Sequence, residues 1–404
     1  MLFSVAKGRL MNHSRVGLVS LFFSLSLTAL AEEQNTLLSP LAVNKNAVNM
    51  ANQPVPIQNA SSDSDLYKKI SALDTDLMLA LVDRPPVRQR ERDKHDDSER
   101  DFEPDDVTGF SLWRDVTLKA VLGMSQRTDN VYWSIANDLS GRVGPSVLSE
   151  LDYKGLRIRG VDLSSSVEFD GGWLEDFFLS GRLFKGTISD GLTRDSDYSG
   201  DNRTQEYSRS LSENTGDFVA DYSASLGWTV LQVHSFSSAL ELGYSLHQQH
   251  LRKQNAIQIV DQNTSSASIE GLNSTYQSEW QGPWLGLSAE LAYERHALKI
   301  RSEAHQALYY AEANWNLRDT FMHPKSFDHQ AQGQGLVIDA SYAYSFDLPQ
   351  AKKLTLALGY RADRWQAENG RDTLYLATGE TVSTRLNEVL WNADTLALSV
   401  KFIH

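Results

Sequence analysis

Ala393-Asp394-Thr395-Leu396-Ala397-Leu398-Ser399-Val400-Lys401-Phe402 is the stretch on which the reading of the chain turns. Its period is two. Leu396, Leu398, Val400 and Phe402 share one face of a strand, and Thr395, Ala397, Ser399 and Lys401 share the other. Such an alternation, closing on an aromatic residue, suits a strand with lipid on one side and a polar interior on the other. In a bilayer every backbone N–H and C=O must be paired, so a sheet spans it only by closing on itself.

Working back from that strand, the same alternation starts at Val116-Leu118-Ala120-Leu122 and recurs through Leu151–Phe169, Phe177–Ile188, Phe218–Val230, Ala239–His250, Trp284–Tyr293, Leu298–Tyr310, Leu336–Phe346, Leu354–Trp365 and Leu390–Phe402. Aromatics gather near strand ends, as interfacial girdles do. The expected fold class is all-β: a closed antiparallel transmembrane β-barrel of about ten strands over residues 111–404. A soluble sandwich is the competing fold, disfavoured by long strands and long polar connections. Turns such as Asp170-Gly171-Gly172 and Asp347 to Lys353 are short. The connections Thr128–Glu150, Ser189–Asp217, Leu251–Gln281, Ala311–Gly335 and Gln366–Glu388 are long and polar, and should face the cell exterior.

Composition agrees with a barrel made in an envelope. Of 404 residues none is cysteine, and a closed hydrogen-bonded ladder needs no disulfide. Mean hydropathy is -0.39, and the long apolar run Val16–Ala31 follows Lys7, Arg9 and Arg15 and ends Ala29-Leu30-Ala31. Basic, apolar and small-residue parts in that order predict a signal peptide over residues 1–31, in preference to a membrane anchor. Residues 32–110 read as a disordered linker with one short amphipathic helix at about 65–82, where Leu66, Ile70, Leu73, Leu77 and Leu81 recur at helical spacing. That helix would contact a periplasmic partner or plug the barrel. A formal charge of -14 argues against nucleic acid and for cations or basic peptides at the barrel mouth. No metal-binding or phosphate-loop motif is present, and no cofactor is expected; Ca²⁺ at Asp195, Asp197 and Asp201 is a weak alternative.

Several segments carry a likeness in order along the chain: Asp129-Asn130-Val131-Tyr132, Leu148-Ser149-Glu150-Leu151-Asp152-Tyr153-Lys154, Asp195-Ser196-Asp197-Tyr198, Glu206-Tyr207-Ser208-Arg209, and Tyr276 through Pro283-Trp284-Leu285-Gly286-Leu287. Over about 116–402 the chain resembles the omptin family, ten-stranded outer-membrane endopeptidases. The resemblance implies a nucleophilic water held between an Asp-x-Asp pair and an Asp-x-His pair, the imidazole taking the proton. Asp195 and Asp197 match the first pair, whose i and i+2 side chains project together from a strand. Asn314-Trp315-Asn316 stands where Asp-x-His belongs, and Asn cannot take a proton from water. His323, near Asp319, is then the candidate base, with Asp328-His329 beside it. Asp129 and Glu312 fall where the family binds a basic substrate side chain, and Ser208 is a further candidate contact. The family's lipopolysaccharide site is matched at Tyr244, but Leu246 and Gln248 replace its acidic and basic residues.

The function expected is therefore an omptin-like outer-membrane barrel without regular omptin catalysis, acting in surface binding or envelope structure, with outer-membrane lipid, lipopolysaccharide and cationic peptides as its partners. The alternatives are an aspartic-type endopeptidase cleaving near basic residues and a small channel or polysaccharide-export barrel.

Overall fold

A computed structural model of the chain describes residues 116–261, 267–349 and 353–403. The expected signal peptide, linker and short helix lie outside these residues. The described chain is twelve strands and one single-turn 3-10 segment, Gly172–Leu174. The strands are β1 (Val116–Ile135), β2 (Ser149–Phe169), β3 (Phe177–Gly200), β4 (Thr204–Glu213), β5 (Phe218–Val233), β6 (Phe236–Asp261), β7 (Ala267–Ile269), β8 (Ser274–Tyr293), β9 (His296–Asn314), β10 (Phe327–Asp347), β11 (Lys353–Tyr375) and β12 (Thr381–Ile403).

The sheet closes because β1 pairs with both β2 and β12. β4 and β5 take one place in the ring. Both lie between β3 and β6, β4 against their far halves and β5 against their near halves. β7 is a three-residue addition to β6. Setting β7 aside and counting β4 with β5 leaves ten places, all antiparallel, the number expected from the alternating segments.

Near the short turns the outward face is apolar. Leu118, Leu122, Met124, Leu179, Leu183, Leu226, Trp228, Leu242, Leu285, Leu298, Tyr342, Leu358, Leu398 and Phe402 are exposed there, Met124 to 75 % and Leu398 to 62 %. These residues form the lipid-facing belt, with Tyr and Trp among them as interfacial anchors. Along β12 the inward partners of the belt are Thr395, Ala397, Ser399 and Lys401.

Beyond the belt the strands continue, which corrects the expected long loops. β3 runs on from Leu183 through Asp195 and Asp197 to Gly200, and β10 begins at Phe327 rather than Leu336. The reason is a reversal of polarity. On β1 the outward positions pass from Leu122 and Met124 to Gln126, Thr128 and Asn130, while the inward ones become Val131 and Trp133. On β10 the outward Leu336 and Ile338 are preceded by Gln330, Gln332 and Gln334, while Phe327 and His329 point inward. Outside the bilayer water lies around the barrel, so its apolar side chains turn to the interior. Valine, leucine, tyrosine and tryptophan residues from nearly every strand build that core.

The core reaches from wall to wall. Trp133 of β1 stacks at 5.8 Å on Tyr276 of β8, and Tyr153 of β2 lies 6.1 Å from the same ring. Below them Trp365 and Trp391 stack at 5.5 Å and both meet Trp280. Arg127 of β1 donates to Asp221 of β5 at 2.6 Å, and Gln249 of β6 to Asp129 of β1 at 3.1 Å. Apart from the Trp365–Trp391 stack, a register pair of the neighbouring strands β11 and β12, these contacts cross the lumen between strands that are not neighbours in the ring.

Candidate functional site

Asp195 and Asp197 stand on the far half of β3, on the inward side. There β3 is gripped by β2 and β4, with Leu151 and Ser210 opposite Asp195 and Ser149 and Ser208 opposite Asp197. The two carboxylates therefore share a direction, as the i, i+2 spacing predicts. Their placement on a strand rather than in a loop fixes them at the end of the barrel remote from the short turns.

The group facing them is a lysine. Lys253 of β6 is nearly inaccessible, with its side chain 4 % exposed, and its Nζ donates to Asp195 Oδ2 at 2.5 Å. The same ammonium lies 4.9 Å from the ring centroid of Trp315. Trp315 belongs to the Asn314-Trp315-Asn316 segment that occupies the expected place of Asp-x-His. The two halves of the anticipated site thus do come together, but through a Lys–Asp ion pair roofed by an indole. An ammonium so held is fully committed: it satisfies one carboxylate and the π face of Trp315 at once.

Asp197 is different. Burial, and then the negative charge of Asp195, push its carboxyl up to about 6, offset in part by a hydrogen bond from Ser149 and the positive charges of Arg318 and Lys253. Its ionisation therefore changes near neutral pH, well above the ordinary carboxylate range.

The other anticipated residues are dispersed. His323 shares a hydrogen bond of 2.7 Å with Asn314 Oδ1 and is exposed. His329 is fully buried in β10, 3.0 Å from the Tyr276 hydroxyl and 3.3 Å from Asp372. Among the described residues neither imidazole bonds to Asp195 or Asp197. Asp129 is fully buried below the core, chelated by Arg127 through two bonds of 2.6 Å and accepting from Gln249 and the Trp391 indole. Glu312 lies on the outer side of β9 and accepts from Tyr310 at 3.2 Å. Ser208 is opposite Asp197 in register, with its hydroxyl accepting from Gln258 at 3.1 Å. Asp201 receives the Ser146 N–H at 2.9 Å in the turn beyond β3.

Lys253 is the residue that sequence reading passed over. Its signal was available: it continues the inward positions His247, Gln249 and Leu251 of β6, once that strand is allowed to run on past His250.

A closed ten-place antiparallel ring with an outward apolar belt is an outer-membrane β-barrel, so the chain resides in the outer membrane of a Gram-negative bacterium. A family model described as Pom, Protochlamydia outer membrane protein, matches residues 121–403, which is the barrel, and the chain belongs to that family. No curated protein matches the chain in sequence. Among solved structures, the outer membrane protease OmpT from Escherichia coli is similar with a TM-score of 0.57 at 11 % identity, over 72 % of this chain and 97 % of that one. That likeness extends to the fold alone. The translocator domain of the autotransporter NalP from Neisseria meningitidis matches at 9 % identity over 84 % of this chain and 99 % of that one, with a TM-score of 0.25.

Proposed function

We propose that this outer-membrane barrel is not a protease, and that its protruding mouth acts in binding or in envelope structure. The observation that carries this reading is the Lys253 ammonium on Asp195. A hydrolase of the kind the resemblance implies needs a base within hydrogen-bond reach of a water held by the carboxylate pair. Here the nearest opposing group is a cation that has no lone pair to accept a proton. The wall-to-wall aromatic contacts weigh against a wide pore in the same way.

The experiment is cleavage of fluorogenic dibasic and acidic peptide panels by the refolded barrel with lipopolysaccharide, beside Asp195→Asn and Asp197→Asn. No cleavage by a barrel that shows heat-modifiable gel mobility supports the proposal. Cleavage that either substitution abolishes overturns it.

One feature favours the second reading, an endopeptidase. The Asp197 carboxyl, at about 6, lies where a general base works. In that case activity would rise through pH 6, and Asp197→Asn would remove it while Asp195→Asn would impair it less.

A further inference from the structure

Below the aromatic layer the lumen widens into a chamber of about 810 Å³ that opens between the short turns. Its walls are rich in serine, and Arg182 of β3 projects into it. In register Arg182 is flanked by Ser164 of β2 and Ser223 of β5. Next along, Ser180 stands opposite Ser166 and Ser225. These side chains are short, and among the described residues no carboxylate lies within ion-pair distance of Arg182. Every other arginine deep in this interior is paired: Arg127 with Asp129 and Asp221, Arg301 with Glu241 and Glu303, Arg361 with Asp363.

Arg361 adds a second unfilled donor. Its Nε and Nη2 are taken up by Asp363, while Nη1 is buried with no hydrogen-bond partner in a residue only 8 % exposed. Arg182 and Arg361 both line the chamber and lie close enough to repel one another. Glu303 and Asp339 line it too and attract Arg182 at longer range without bonding to it. The buried Nη1 of Arg361 needs an acceptor, and the half-buried Arg182, which projects into the same chamber, brings a second guanidinium to it; two guanidinia so placed favour a bridging anion.

We propose that the chamber holds a binding site for a small oxyanion, a phosphate or carboxylate group, gripped between Arg182 and Arg361. The surrounding serine hydroxyls suit a hydroxyl-bearing body attached to that group. Because acidic residues share the chamber, net field does not draw the anion in; binding depends on direct guanidinium contact. Lys119, Lys299 and Lys401 line the same chamber toward its opening, but Lys119 is ion-paired with Glu168 and Lys299 stands opposite Glu290 in register, so they add no net attraction. The site is independent of the mouth at Asp195 and of any activity there.

The test is calorimetric titration of the full-length refolded protein in chloride buffer with inorganic phosphate and, separately, acetate. At least one should bind at one site per barrel. Arg182→Gln should weaken that binding tenfold or more with heat-modifiable mobility intact, and Asp339→Asn should strengthen it. Loss with phosphate but not acetate assigns the phosphate class, and the converse the carboxylate class. No binding of either by the wild type overturns the proposal, as does equal binding by wild type and Arg182→Gln. Should Arg182→Gln fail to fold, Arg182→Lys keeps the charge and loses the fork; binding undiminished in that variant also counts against the site.

Discussion

The two halves of this barrel solve opposite problems with the same ten-place ring. At the belt, lipid covers the outside, so Leu398 and Met124 point outward and the lumen is lined by Ser164, Ser166 and Arg182. In the far half, water covers the outside, and Trp133, Tyr276, Trp280, Trp365 and Trp391 fill the inside instead. The barrel is a membrane protein at one end and a soluble protein at the other. The consequence is that a given residue type means different things in the two halves. A charge buried beyond the belt sits among apolar neighbours and is paired within the protein, whereas Arg182 at belt level projects into an open chamber.

Removing one large side chain from each half should give the largest difference between them. Trp391 is fully buried, stacks on Trp365 and donates its indole N–H to Asp129 at 3.0 Å. Trp391→Ala should cost about 3–5 kcal/mol, through the cavity and the orphaned carboxylate. Leu398→Ala, on the lipid face, should cost only about 1 kcal/mol, because lipid tails close over the smaller side chain. Urea unfolding of the barrel refolded in lipid vesicles measures both. Equal losses would mean that the far half is not stabilised by its core.

The next effect is electrostatic. Lys253→Met leaves Asp195 facing Asp197 without its cation, and should destabilise by about 2–4 kcal/mol in the same assay. Lys253→Met combined with Asp195→Leu removes both charges and should recover most of that loss. If the single substitution is neutral, the mouth is wetter than the 4 % exposure of Lys253 implies.

A smaller effect reads out the same pocket by pH. The native carboxyl of Asp197 lies at about 6, above its ordinary value of 3.8. Between those values the folded state binds the proton and the unfolded state does not, so the stability from this group is complete below about pH 4 and is lost as pH rises through 6. Wild type should therefore fall by about 1–2 kcal/mol more than Asp197→Asn between pH 4 and pH 7, after allowing for screening at the mouth. Parallel pH profiles for the two proteins would place Asp197 in contact with bulk water.

The contrast between halves also explains what the sequence revealed. The belt-level halves were legible because one apolar face alternates with one polar face, from Leu118-Ala120-Leu122 to Leu396-Leu398-Val400. The far halves read as loops because the apolar phase switches sides, as between Met124 and Val131 or between Phe327 and Leu336, and a fixed period of two is broken at the switch. The Asp195/Asp197 pair and its facing segment Asn314–Asn316 were found by likeness to a family. Lys253 could be placed on the inward face by extending β6, but no local pattern announces that it meets a carboxylate 58 positions away.

The smallest effect separates the two acidic residues that the likeness groups as substrate contacts. Asp129 and Glu312 would both bind a cationic side chain if both faced the mouth. Instead Asp129 is already saturated, with Arg127 on both oxygens, and Glu312 looks outward from β9 beside Tyr310. Glu312→Gln should change stability by no more than about 0.5 kcal/mol. Titration of dibasic peptide against wild type and Glu312→Gln then measures which surface captures cations. Unchanged affinity in the variant leaves capture to the interior-facing carboxylates at the mouth. A loss of affinity would mean that the outer wall above the belt, and not the mouth, presents the acidic surface.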